Sequence, residues 1–183
     1  MLTILYVFMC WLAADFISGI GHWFEDTYLE PGSYRLLNDL VIYGNIEHHR
    51  NPNGITKGTY LSTNSVTIGL SLLMVLIGVL ILHTVLWQYY LVAIFVSHIN
   101  QVHVWSHSYK TYTIVKLLQK IGLFQSVKHH SLHHKKPYLV KYCILTEYLN
   151  PLLDYVKFWR CLEYIIGLMG VTTKTGSVLR SGY

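Results

Sequence analysis

The chain has 183 residues, of which 52% are hydrophobic and 13% charged, and its mean hydropathy is +0.36. That excludes an ordinary soluble domain and, by length, more than one domain, so a single membrane-embedded unit is expected. A net charge of +5 suits either nucleic acid or anionic lipid, and its placement beside apolar spans selects lipid and leaves no nucleic-acid role.

The first element, residues 2–21 (LTILYVFMCWLAADFISGIG), is about one bilayer thickness of helix. A cleaved signal peptide is the rival reading, with Ala13-Ala14 as its cleavage site. The missing basic leader and the apolar run beyond the alanines favour a retained helix over 1–22. A polar stretch comes next, and LVIYG within it is too short to span, which suggests an interfacial segment. Residues 65–82 form a second span, His83-Thr84 a polar break, and 85–105 a third span, giving an antiparallel hairpin. Residues 109–170 are amphipathic and basic and read as a cytosolic or interfacial helical part. Residues 171–183 read as a flexible tail. The expected fold is all-α: an integral membrane bundle of about three transmembrane helices plus interfacial helices. Trp11, Trp23, Trp87, Tyr89, Tyr90 and Trp105 are expected to be mostly interface anchors. Cys10, Cys143 and Cys161 form no C-x-x-C pair and read as free thiols.

All fourteen Lys and Arg lie between the first and second spans or after the third. The positive-inside rule puts both regions on the cytosolic side, with the N-terminus opposite. The same topology gathers most of the eleven histidines at one membrane face. His22 ends the first span, His48 and His49 precede the second, and His103 and His107 end the third. The tract KHHSLHHKKPY comes after them, with His129, His130, His133 and His134. His103 and His107 stack at i, i+4, and His130, His133 and His134 converge if the tract is helical up to Pro137. Adjacent histidines diverge by about 100° on a helix, so His48-His49 and His133-His134 suit two metals better than one. Imidazoles without thiolates leave iron, copper, nickel and zinc all open. A histidine tract alone is often an adventitious binder, and His83 and His98 read as ordinary polar residues. Asp15 is ionisable within a span, at a cost on the order of 2.5–3.5 kcal/mol, so it should face the bundle interior. With Asp26 it forms one stripe of the first helix alongside His22.

Four segments, ADFISGIGHWFEDTY, EHHRNPNGIT, NQVHVWSHSY and HHSLHHKKPY…YCILTEYLNP, resemble the Kua/CarF lipid desaturases, from about Ala14 to Gly170. The resemblance implies metal ligands at His22, His48, His49, His103, His107, His130, His133 and His134. Asp26 matches the family's acid after H-W and is expected to orient His22, with Asp15 as a second candidate. Asn100 and Gln101 match polar residues before the third histidine group, and Asn100 is expected in the site. The resemblance further implies a di-iron centre at the cytosolic face, with O2 as co-substrate. It would act on a phospholipid or ether-lipid chain in an endoplasmic-reticulum-type or equivalent membrane. Electrons would come from a separate cytochrome b5-like or ferredoxin-like donor. Arg35, Arg50, Lys135 and Lys136 are candidates for headgroup contact. The competing readings are a membrane lipid hydroxylase and a membrane metal-binding or transport protein.

Overall fold

The computed structural model describes residues 1–32, 35–83 and 85–174. Among them are ten α-helices and no strand. Helix α1 (Leu2–Tyr28) is followed by a short α2 (Arg35–Leu37), which runs through a π-helical turn (Asn38–Ile42) into α3 (Tyr43–Arg50). A 3-10 turn (Pro52–Lys57) leads to α4 (Tyr60–Leu80), then α5 (Trp87–Val96) and α6 (Ile99–Ser106). The remaining helices are α7 (Thr113–Lys120), α8 (Val127–His133), α9 (Leu149–Tyr155) and α10 (Phe158–Leu168). The LVIYG stretch, residues 40–44, is therefore helical, with Leu40 and Tyr43 outward and Ile42 buried.

Among the described residues two helices, α1 and α4, are long and apolar enough to cross a membrane. The pattern on α4 reverses that of a soluble helix. Its buried residues are Asn64, Ser71 and Gly78, a stripe spaced by seven, while Leu61, Leu70, Leu72, Leu73, Leu76 and Leu80 face outward. Small residues inside and large aliphatics outside are what a lipid solvent selects. The stripe packs on α5: a Cβ at Gly78 would lie 2.5 Å from the Tyr89 ring, and the Tyr89 hydroxyl donates to the Met74 carbonyl at 2.7 Å. Helix α1 has 27 residues, about 40 Å at 1.5 Å each, so it exceeds the roughly 30 Å hydrocarbon core.

The third expected span is two helices rather than one. At the junction the Ser97 hydroxyl donates to the Ile94 carbonyl at 2.7 Å and the His98 ring Nδ1 lies 3.0 Å from the same oxygen. Side chains thus crowd the carbonyl that a continuous helix would use for the His98 amide, which bonds Phe95 instead. Thr84, in the expected polar break, lies outside the described residues.

Between α8 and α9 the chain is non-helical. Residues 142–146 are almost fully buried against α1. A buried non-helical segment needs a partner for each backbone polar group, and here side chains provide most of them. We refer to residues 140–146 as the strap. Gly19 lets α1 approach it, since a Cβ there would meet Cys143 Sγ at 2.5 Å and the Trp159 ring at 3.0 Å. Two apolar clusters flank this contact. One holds Trp11, Ala14, Val96, Ile99, Val102, Ile144 and Leu145, and the other Trp23, Tyr142, Cys143, Leu153 and Trp159. Trp11 and Trp23 are therefore core residues rather than interface anchors; their indole N–H groups donate to the Leu123 carbonyl and to Glu163, both at 2.9 Å. The expected tail is pinned at its start: the Lys174 amide donates to Thr27 O at 2.9 Å and its Nζ to Glu25 O at 2.7 Å. Residues 175–183 lie outside the described residues.

Candidate metal centre

Four helices deliver the histidines to one end of the bundle. The last two turns of α1 carry His22 and Asp26, and α3 carries His48 and His49. Helix α6 carries His103, with His107 as its C-cap, and α8 carries His130 and His133, with His134 as its C-cap. Helix α8 starts at a side-chain cap, Ser126 accepting from the His129 amide, which sets the rotation of the tract. It ends at His133, short of Pro137, yet His130, His133 and His134 still converge.

The side chains form two abutting groups. His48, His103, His107, His130 and His134 make one, and His22, Asp26, His49 and His133 the other; within each, the ligand atoms lie within 4.8 Å of one another. Each adjacent pair is divided between them, as the 100° step requires. In the five-histidine group, His103 Nε2 is 2.9 Å from His130 Nε2 and 3.2 Å from His107 Nε2, and His134 Nε2 is 3.1 Å from His130 Nε2. Ligands about 2.1 Å from a shared ion lie roughly 3.0–3.4 Å apart, so these spacings fit a common centre.

In the second group two rings are oriented from behind by the strap. His22 Nδ1 lies 3.2 Å from the Tyr142 carbonyl and His133 Nδ1 2.9 Å from the Val140 carbonyl. Each ring therefore donates from Nδ1 and keeps the Nε2 lone pair for the group's centre. Asp26 Oδ1 accepts from Asn45 at 2.8 Å and sits 2.9 Å from His49 Nε2. Its Oδ2 faces His133 Nε2 at 3.3 Å and His22 Nε2 at 3.7 Å. Asp26 is thus on the inward side of His22, among the converging atoms, and the Tyr142 carbonyl occupies the orienting position expected for an acid.

The residues fit a metal on a simple test. Buried polar atoms ordinarily have a partner. Here His22 Nε2, His133 Nε2 and Asp26 Oδ2, all pointing at one another, have none, and neither nitrogen of His48 has one. The charge state fits too. Burial, together with neighbouring imidazoles, holds His48 and His130 far below the ordinary histidine range. The same causes bring His107 to about 4 and His134 to about 2. Neutral imidazole is the ligating form.

The other expected residues lie elsewhere. The Asn100 amide donates to the Thr63 carbonyl at 2.8 Å, joining α6 to α4 one turn before His103. Asp15 is fully buried and accepts from the Leu145 amide at 2.8 Å and the Thr146 hydroxyl at 2.5 Å, so it holds the strap. His129 bonds Asn150 at 3.3 Å and stays outside both groups, and His98 is exposed. Arg50, Lys135 and Lys136 are exposed, and the Arg35 side chain is not among those described. Sequence reasoning missed Asn45 and the two strap carbonyls. Asn45 lies in the same polar stretch as His48, but a backbone acceptor leaves no mark in the sequence.

Eight histidines and one aspartate in two adjoining groups, in a bundle with two helices apolar and long enough to cross a membrane, define the class as a membrane protein with a histidine-rich candidate metal site. The comparisons place it within that class. A family model for the lipid desaturase domain matches residues 11–176, and the chain belongs to that family. It is 35% identical to mouse plasmanylethanolamine desaturase 1 over 92% of this chain and 67% of that protein. It is 33% identical to plasmanylethanolamine desaturase of Myxococcus xanthus, over 87% of this chain and 59% of the relative. It is 30% identical to the chloroplastic fatty acid desaturase 4-like 1 of Arabidopsis thaliana, over 82% of this chain and 52% of the relative. The chain thus spans between half and two thirds of the length of these relatives. No solved structure matches it.

Proposed function

We propose that this chain is a membrane-embedded, O2-dependent di-iron desaturase that places a double bond in the alkyl or acyl chain of a phospholipid or ether lipid. The observation that carries the reading is the pair of abutting ligand groups, with buried unpartnered nitrogens, in a member of the lipid desaturase family. Imidazole and carboxylate donors admit iron among other metals, five histidines exceed what a closed four-coordinate zinc site takes, and membership of the lipid desaturase family favours iron. The bundle crosses the membrane three times, through α1, α4 and the α5–α6 pair. The ligand end faces the cytosol, where the lysines and arginines lie.

When bound, the two irons supply the activation of O2 and the oxidation of the substrate. The balanced change is one saturated CH2–CH2 unit, O2, two electrons and two protons giving one C=C unit and two waters, the electrons coming from a separate cytochrome b5-like or ferredoxin-like donor. The protein's own part is positional. His22 and His133 are fixed by the strap, Asp26 is held by Asn45, and the neutral rings keep lone pairs directed inward. Burial of His103, His130 and His133 keeps bulk water from the centre.

A groove of about 600 Å³ beside His107 offers the headgroup a seat. Thr56, Ser108, Lys110, Thr111, Tyr112 and Lys116 line it, and the Thr111 hydroxyl is buried without a hydrogen-bond partner. Helix α7 next to it exposes Ile114 and Leu117, with Ile121 just beyond, which suits a membrane surface. The test is lipid mass spectrometry of membranes from cells expressing the chain and its His107→Ala variant. The expected product lacks two hydrogens and is absent in the variant. A product heavier by one oxygen would make the protein a hydroxylase, and unchanged lipids with an intact metal centre would refute the reading.

A further inference from the structure

The strap touches the metal groups on one side only. Its Val140 and Tyr142 carbonyls meet the rings of His133 and His22, both in the Asp26 group, while among the described residues no strap hydrogen bond reaches a ring of the five-histidine group. His48, His130 and His134 instead have an Nδ1 that is buried without a partner. Two rings and the carboxylate of the Asp26 group are therefore held from outside, although the Nδ1 of its third ring, His49, is also buried without a partner, while the five-histidine group is held mainly by its own convergence.

What holds the strap lies away from the ligands. Asp15, two turns before His22 on α1, accepts from the Leu145 amide and the Thr146 hydroxyl, and Ser18 between them accepts from the Ile144 amide at 3.1 Å. From the other side, the Gln125 side chain donates to the Cys143 carbonyl at 2.7 Å and its amide to the Leu145 carbonyl at 2.8 Å. Asn150 brackets Cys143, accepting from its amide at 3.0 Å and donating to its carbonyl at 2.7 Å. Four side chains thus clamp residues 143–146, and the carbonyls that orient the rings sit at the adjoining end of the same segment.

We propose that Asp15 is a positioning residue for one metal site alone: through the strap it sets the affinity of the Asp26 group, and the five-histidine group does not depend on it. This rests on the dinuclear reading above. An inert structural role for Asp15 would weaken both groups together or neither, so the two roles are told apart by their asymmetry.

The experiment is an anaerobic titration of the purified full chain with ferrous iron against a competing chelator of known affinity. His107→Ala identifies which of the two equivalents belongs to the five-histidine group. Asp15→Ala is expected to weaken the other equivalent by about 10–100-fold, the usual effect of losing an outer hydrogen-bonding partner, and to leave the first within about twofold. Asp15→Asn, which keeps an oxygen for the Leu145 amide, should restore most of the loss. Ser18→Ala is the milder variant, should Asp15→Ala fail to fold, and should weaken the same equivalent less. Equal weakening of both equivalents, or none at either, overturns the proposal while leaving the dinuclear centre standing. A wild-type chain that binds no iron overturns both.

Discussion

The two ligand groups differ in how their rings are held. In the Asp26 group, His22 and His133 each give one nitrogen to a backbone carbonyl, and Asn45 fixes the carboxylate. In the five-histidine group the rings lean chiefly on one another, with nitrogen–nitrogen spacings of 2.9–3.2 Å. Neighbouring groups that share α3 and the α8 end are thus not equally preorganised. One should be formed before metal arrives, and the other should be completed by it.

The largest effect should come where the groups depend on each other most. His130 is fully buried and within hydrogen-bonding distance of both His103 and His134. His130→Ala should abolish product, by more than about 100-fold, and remove at least one iron by elemental analysis. If it retains near-wild-type turnover, the five-histidine group is not a ligand set. Asp26→Asn keeps Oδ1 for the network but removes the negative charge. It should cost about 10-fold or more in turnover and lower the iron content of its own group first, which anaerobic iron titration would reveal.

The contact beneath the strap gives a stability prediction. Gly19→Val would drive a branched side chain into Cys143 and Trp159, and overpacking of this kind typically costs about 1–3 kcal/mol. The thermal midpoint in detergent should fall, and the Asp26 group should lose iron before the other. His107 gives the protein an acid-dependence. Its ring is held neutral to about 4, by burial first and then by neighbouring imidazoles, whereas an unfolded histidine takes a proton near 6.5. The folded state binds fewer protons in that interval, so this stability is complete above about 6.5 and is lost as the pH falls towards about 4. The metal-free protein should melt earlier across that window, and His107→Ala should remove part of the dependence, the rest remaining with His48, His130 and His134. The smallest effect is expected in the headgroup groove. Lys110→Ala with Lys116→Ala should raise the apparent KM for the lipid severalfold while leaving kcat and iron content near wild type.

Much of the ligand end could be read from the chain. Helical spacing paired His103 with His107 and grouped His130, His133 and His134, and the placement of charge gathered the segments at one face. The two apolar runs on either side of His83-Thr84 likewise announced the pairing of α4 with α5. The strap was hidden because non-helical backbone held by scattered side chains has no period, and the Asp15–Ser18 turn, Gln125 and Asn150 come from three separate parts of the chain. The split at Ser97-His98 was hidden for a related reason, since a side chain competing for one carbonyl leaves the apolar pattern intact. The role of Asp26 was legible as to place but not direction: the spacing put it on the His22 stripe, and only the fold turns its carboxylate inward.

Helix α1 runs unbroken from Leu2 to Tyr28, which on the membrane reading makes it a ruler. Its first twenty residues fill the hydrocarbon, and the turns bearing His22 and Asp26 stand just above it, at a height set by covalent geometry. Bilayer thickness therefore becomes a variable of the reaction. Vesicles of longer-chain lipids would draw those rings down towards the acyl region, and thinner ones would lift them away from the carbons they must reach.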